Sequence, residues 1–356
     1  MHTINLTSRP FSGRPAKPRI LLIARLFAAA CLLLFVQTAR ANCMATMQDV
    51  NFGNVDLLNP DTLTTQATVT VTCSRTTWQD QTFHVCLGVD GGKAGGATQF
   101  NPRYMCPNGA CSGTGNRLAF NLYTDANHNT IWGSFKYPAF PTTINMVFDF
   151  MWNSPSSQSK TVPVYAKLIT SSSNIAAIAA GQYTNGFTLG STGLAFSDSG
   201  RCGQYSGDTR TRFPFTVSAT VVKNCNINKP NNIDFGTVNP VDTNLTGNTS
   251  LGVTCTSGTP YNIGLKPSNN NTAGAGEMLP VTPGGGNTDR IPYQLRSGSG
   301  ANGAVWGNTA TATQTGNGIG GTGTGSLQNY NIYATVPSAD YHYGDYQDTV
   351  TVQVNY

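Results

Sequence analysis

Beyond residue 41 the sequence holds three histidines, His84, His128 and His342, the residue type best suited to moving protons near neutral pH. His84 falls in a strand-like run beside Cys86, and His128 in the polar turn Asp125-Ala126-Asn127-His128-Asn129. His342 stands between two tyrosines. None has a sequence neighbour that would make it a base or a metal ligand, so all three read as surface or turn residues. Asp125, Asp149, Asp198 and Asp208 offer paired carboxylates in principle, but aspartate in a turn usually caps its own backbone. Serine and threonine are too frequent to single out a nucleophile. The glycine-rich stretch Pro283-Gly284-Gly285-Gly286 lacks the Lys-Thr that a phosphate loop needs. Cys106 and Cys111, separated by Pro107-Asn108-Gly109-Ala110, suit a small disulfide loop, and no CxxC or Cys/His cluster has zinc spacing. The residues thus point to no catalytic, metal or cofactor site.

The elements that would carry a site are strands. Of 356 residues only 10% are charged, 39 are glycine, and Glu277 is the sole glutamate. Solvated helices need Glu, Lys and Arg on their outer faces, so helical and α/β folds are disfavoured and short strands with polar turns are expected. At roughly 150 residues per domain the length allows about two domains.

The net charge of +5 comes from the N-terminus. Residues 1–41 carry Arg9, Arg14, Lys17, Arg19, Arg25 and Arg40, and removing these six from 21 basic residues leaves 15 against 16 acidic ones. Nucleic acid is therefore not an expected partner, since phosphate binding needs concentrated positive charge. The same segment has the pattern of an export signal. Its basic region ends at Arg25, an apolar run spans Leu26 to Val36, and Ala39-Arg40-Ala41 offers a small-x-small cleavage site. Cleavage is expected after Ala41. It would remove Cys31 and leave eight cysteines, an even number that suits disulfides in an oxidising compartment.

An internal repeat organises the rest. Cys43 and Cys73 have the same separation as Cys225 and Cys255, and Phe52-Gly53-Asn54-Val55 matches Phe235-Gly236-Thr237-Val238. In the same order, Arg117-Leu118-Ala119-Phe120-Asn121-Leu122 matches Arg290-Ile291-Pro292-Tyr293-Gln294-Leu295, and Ile131-Trp132-Gly133 matches Val305-Trp306-Gly307. Val164-Tyr165-Ala166 then echoes Ile332-Tyr333-Ala334, and Gly181-Gln182-Tyr183 echoes Gly344-Asp345-Tyr346. Two homologous domains follow, 42–222 and 223–356. The repeat implies bridges Cys43–Cys73 and Cys225–Cys255. Cys86, Cys106, Cys111 and Cys202 leave three pairings, of which Cys106–Cys111 with Cys86–Cys202 is favoured. Ala67, Val69 and Val71 alternate with Thr68, Thr70 and Thr72, and Val350, Val352 and Val354 alternate with Thr349, Thr351 and Gln353. Period-two runs between Gly/Asn/Pro turns predict an all-β protein of two antiparallel sandwiches.

The series Cys…Phe-Gly-x-Val…Val-x-Cys, Arg-Leu/Ile-x-Tyr/Phe, Trp-Gly and Gly-x-Tyr, with the closing run 346–356, resembles the spore coat protein U domain family across both domains. That resemblance implies immunoglobulin-like subunits of surface fibres assembled by the archaic chaperone–usher route, or coat proteins of resting cells. A two-domain member is similar to the tip adhesins of Csu-type pili. The implied partners are a periplasmic chaperone, an outer-membrane usher and a neighbouring subunit that donates a strand.

Residues 213–222 have the pattern of such a strand, with Phe213, Phe215, Val217, Ala219 and Val221 on one face. Tethered behind the first domain, they are expected to complete that domain within the chain. Domain two then lacks its last strand. With Asn42 directly before Cys43, the mature chain would accept a strand without giving one, which belongs at a fibre tip. The alternative is a coat or shaft subunit without a receptor site. Three segments separate domain one from domain two: 91–116, 134–160 and 190–212. Phe100, Tyr104, Tyr137, Phe140, Leu194 and Phe196 within them are expected to form apolar adhesive loops at the pole away from domain two, for a surface or receptor that remains unnamed. Met146 to Trp152 alternates as a core strand would.

Overall fold

The computed structural model describes residues 42–59, 63–75, 78–113, 115–170, 176–188, 190–197, 212–282 and 286–356. The expected leader 1–41, Asp198, Cys202, Asp208 and the run Pro283-Gly284-Gly285 lie outside them. The chain is all-β, with two tandem immunoglobulin-like sandwiches, and only Gly92–Gly95 forms a helical turn among the described residues.

Domain one contributes β1 (Asn42–Met47), β2 (Val50–Val55), β3 (Thr64–Ser74), β4 (Gln81–Val89), β5 (Arg103–Pro107) and β6 (Leu118–Tyr123). It continues with β7 (Ile144–Phe150), β8 (Ser157–Leu168), β9 (Gly181–Phe187), β10 (Thr192–Ser197) and β11 (Phe215–Val221). One sheet has the order β1-β3-β8-β6-β5-β9-β11-β2, the other β10-β4-β7. The consecutive strands β1 and β2 stand at opposite ends of the large sheet, so it must curl until its edges approach each other. Strand β3 shows why the sequence folds this way. Ala67, Val69, Val71 and Cys73 are buried and the intervening threonines face out, where Thr70 and Thr72 meet Thr161 and Ser159 of β8 through their hydroxyls at 2.8 and 2.7 Å.

Domain two repeats the plan with β12 (Cys225–Asn228), β13 (Thr243–Cys255), β14 (Pro260–Pro267), β15 (Ala275–Pro280) and β16 (Ile291–Arg296). After these come β17 (Ile319–Thr322), β18 (Gln328–Ser338), β19 (Tyr346–Gln347) and β20 (Val350–Asn355). Its sheets run β12-β13-β18-β16-β15-β19 and β17-β14-β20. Matching contacts fix the correspondence. The indole of Trp132 donates to the Leu87 carbonyl at 2.8 Å, and that of Trp306 to Ile263 at 2.9 Å. Cys43–Cys73 and Cys225–Cys255 are both disulfides, each with Cα atoms 4.1 Å apart.

The two sheets differ at one place. In domain one β11 lies between β9, to which it is antiparallel, and β2, to which it is parallel. Among the described residues domain two has no strand in that position, and the counterpart of β2, 233–238, is unpaired. The local turn survives without its partner. Gly53 and Gly236 have φ of +68° and +69°, and each donates its N–H to the aspartate or asparagine two residues earlier, at 2.8 Å. That backbone conformation favours glycine, which is why Phe-Gly-x-Val recurs.

The domains meet tightly. Val222, tied within domain one to the Val55 carbonyl at 3.0 Å, accepts from the Thr256 hydroxyl of domain two at 3.2 Å. Asn224 donates to Asp56 at 2.6 Å and accepts from the Tyr356 hydroxyl at 3.1 Å. Ala179 forms an isolated bridge with Ser257.

Candidate functional site

The missing strand leaves a groove, and the core records it. Among the described residues the domain-one core buries Phe213, Phe215, Val217, Ala219 and Val221, and only four apolar side chains packed on it are partly buried. In domain two eleven are partly buried, including Ile233, Phe235, Leu245, Val350, Val352 and Val354. Val50, Phe52 and Val55 of β2 are buried beside β11 in the same sheet, whereas their counterparts Ile233 and Phe235 are half-buried and Val238 is exposed. Leu194 pairs with Leu87 and is fully buried, while Val354, paired with Ile263, is half-covered. Such a groove combines unpaired backbone with apolar floor, the two things an incoming strand satisfies together.

In domain one the strand is seated by more than alternation. The Phe215 ring stacks on Phe187 at 4.5 Å, and Phe213, just ahead of β11, stacks on Trp132 at 6.1 Å. Burying each of the larger side chains contributes about 1.5–3 kcal/mol as an upper bound.

The strand register defines the two poles of domain one. Strand β11 leads into domain two at Val221, opposite Val55 and Gly181. The other end of β3 and β8, at Ser74 and Ser157, therefore points away, together with Gln81 and Phe150 where β4 meets β7. At that far pole, beside Arg75, lie residues 78–80 and the loop 151–156. Arg75 ties them, donating to the carbonyls of Met151 and Ser154, both at 2.6 Å, while its guanidinium lies 4.8 Å over the Trp78 ring. Trp78, Trp152 and Met151 project there with 78%, 74% and 52% of their surface exposed.

Several expected contact residues need correction. Leu194 and Phe196 are not in a loop. They belong to β10, where Leu194 is fully buried and Phe196 packs edge-on to Phe83 at 6.5 Å. Phe100 is only 2% exposed, held under Phe140 at 5.0 Å, Tyr137 at 5.2 Å and the Arg103 guanidinium at 5.1 Å. Tyr137 and Phe140 are accordingly half-buried, and Tyr104 lies against Arg117 at 5.6 Å. These aromatics fold back on the flank of the sandwich because Arg103 is there. It is wholly buried and donates to the carbonyls of Asp90 at 2.8 Å and Trp132 at 2.6 Å. Burial pushes it down to about 9, opposed by Asp90, so it stays charged at neutral pH. The 106–117 loop faces domain two instead of the far pole. Asn116 accepts from Ala179, the residue that bridges to Ser257. Cys106 is bonded to Cys111 and Cys86 is disulfide-bonded, while Cys202 is outside the described residues.

Met146 to Phe150 do form a core strand. Trp78 escaped the sequence reading. The available signal was the repeat: the turn after β3, with Arg75 and Trp78, corresponds to the plain Thr256-Ser257-Gly258-Thr259 of domain two. Among the described residues no group of three or more His, Cys, Asp or Glu is placed to hold a metal ion. His342 pairs with Asp289 at 2.8 Å, and backbone and side-chain hydrogen bonds from His342 hold that carboxyl below its ordinary value.

The geometry defines a tandem immunoglobulin-like protein with one closed and one open domain. The family model for the Spore Coat Protein U domain matches residues 29–189 and 211–353. The chain belongs to the spore coat protein U domain family. A search of curated proteins gives no match. Among solved structures, the chain is similar to one from the CsuC–CsuE chaperone–tip adhesion subunit pre-assembly complex of archaic chaperone–usher Csu pili of Acinetobacter baumannii. The identity there is 16%, with 88% of this chain and 100% of that chain covered and a TM-score of 0.48. A chaperone–tip adhesin complex of CFA/I fimbriae matches at 9% identity, covering 87% and 96% with a TM-score of 0.32. The CooA pilin subunit of enterotoxigenic Escherichia coli matches at 10% identity, covering 50% and 99% with a TM-score of 0.27.

Proposed function

We propose that this chain is the tip subunit of a chaperone–usher surface fibre, exported through the periplasm after cleavage at Ala41. Domain one meets the target surface, and domain two takes a strand first from a periplasmic chaperone and then from the next subunit at the outer-membrane usher. One observation carries the reading: the same groove is filled by the chain's own β11 in domain one and left open in domain two. A unit closed at one end and open at the other terminates a head-to-tail series. The poles agree. The turn after β13 holds Ser257 against domain one, whereas the matching turn of domain one points outward and carries Trp78 beside Trp152. Exposed aromatics at a pole free of chain neighbours suit adhesion to apolar surfaces, where removal of water is the main attraction.

The test is the number and place of domain-one epitopes on a fibre. A gold label against domain one should mark fibre ends only. Labelling along the whole length would make the chain a shaft or coat subunit, and absence from fibres would end the reading altogether.

A further inference from the structure

The following rests on domain two as a strand acceptor and concerns which strand it accepts. In domain one the inward row of β9 is Tyr183, Asn185 and Phe187, opposite Ala219, Val217 and Phe215 of β11. By the shared Gly-x-Tyr motif Tyr183 and Asn185 correspond to Tyr346 and Asp348; β19 ends at Gln347, and Asp348 stands where the chain leaves it to enter β20 at Val350 in the other sheet. The residue two places after the motif tyrosine is thus polar in both domains.

In domain one the polar group is fully provided for. Asn185 is buried, and its amide donates to the carbonyls of Gly91 and Tyr104, both at 3.0 Å, and accepts from the Ala94 N–H at 3.1 Å. Those partners come from the long connection between β4 and β5 and from β5 itself. The connection between β14 and β15 is shorter, 268–274, and bonds none of its groups to Asp348. Asp348 instead accepts from the Tyr293 hydroxyl at 2.5 Å and from the Thr349 N–H at 2.7 Å. Tyr293 is buried and stands where domain one has Phe120, so the hydroxyl and the carboxylate occur together. Burial, reinforced by Asp348, raises the Tyr293 phenol above its ordinary value and keeps it a donor.

A strand entering at the register of β11 brings the side chain equivalent to Val217 to Asp348, the residue that follows β19. A carboxylate offers about four acceptor sites. Sealing the two that Tyr293 and Thr349 leave over beneath an apolar side chain costs binding. We propose that Asp348 and Tyr293 select the strand that completes domain two: it alternates apolar residues as β11 does, but carries a hydroxyl side chain, Ser or Thr, opposite Asp348. A lysine at that place fits less well, because desolvating a buried ion pair offsets much of its attraction.

Thr and Val have nearly the same shape, so one hydroxyl decides the test. Two labelled peptides with the sequence of 213–222, carrying Val or Thr at the place of Val217, are titrated into the full chain beside a scrambled control. The Thr peptide is expected to bind about tenfold tighter. The double variant Tyr293→Phe/Asp348→Val should reverse that order, while Tyr293→Phe alone should keep it. Equal binding of the two peptides, or a Val preference in the native chain, overturns the selection and leaves strand acceptance standing. Binding of neither peptide above the scrambled control removes strand acceptance, and the selection with it. The native chain decides between these outcomes even if the double variant does not fold.

Discussion

Two copies of one sandwich share this chain, and among the described residues the second has no counterpart of β11 and leaves the counterpart of β2 unpaired. In domain one β11 pairs with β2, whose Val50, Phe52 and Val55 are buried. In domain two the same Phe-Gly-x-Val turn forms, with the same glycine conformation, but the segment stays unpaired and the core half-covered. Local sequence therefore makes the turn, and the neighbouring strand makes it a strand. The comparison also separates the poles. The turn after β13 is plain where it abuts domain one, and the matching turn after β3, at the free pole, holds a tryptophan.

The largest expected effect breaks the closed domain. Val217→Asp places a carboxylate in a fully buried position of β11 and should destabilise domain one by about 4 kcal/mol or more. Val352→Asp, on the half-covered floor of domain two, should cost less than half of that in the same denaturant titration. Equal costs would mean that the groove is not open. Next comes closure of the open domain. A peptide of 213–222 at a hundred times its Kd should stabilise domain two by about 2.7 kcal/mol and leave the domain-one transition in place, as followed by calorimetry. A shift of domain one alone would contradict the comparison.

At the far pole, Trp78→Thr with Trp152→Thr should lower retention on a hydrophobic surface about tenfold. Stability should change by no more than about 0.5 kcal/mol, because neither ring is buried. Unchanged adhesion with normal folding would move the contact surface elsewhere. The smallest effect is alkaline. Burial pushes Tyr183 in domain one up to about 12, and raises Tyr261 and Tyr293 in domain two. A phenol whose value is raised on folding contributes stability that is complete below about pH 10 and lost as pH rises through the folded value. Melting temperatures should thus fall from pH 10 upward. Tyr183→Phe should flatten the fall between about 10 and 12 in domain one only, as measured by circular dichroism melts.

Much of the fold was legible from spacing. The equal intervals Cys43 to Cys73 and Cys225 to Cys255, the repeated Phe-Gly-x-Val and Trp-Gly motifs, and the alternation of β3, β11 and β20 are local or periodic signals, and backbone geometry turns each into a strand face or a turn. Even the covering strand was readable, because five apolar residues in a period of two have few other uses. The proposed contact surface was not. Phe100 and Leu194 look like loop residues along the chain, yet a buried guanidinium gathers the first with Tyr137 and Phe140, and pairing with Leu87 makes the second a core residue. Trp78 and Trp152 lie far apart in sequence and become neighbours of one pole only through the β3–β8 and β4–β7 registers. Periodicity decides which side of a strand is apolar. Which strand ends share a pole, and which aromatics find cover, depends on contacts between distant segments, and only the folded chain supplies those.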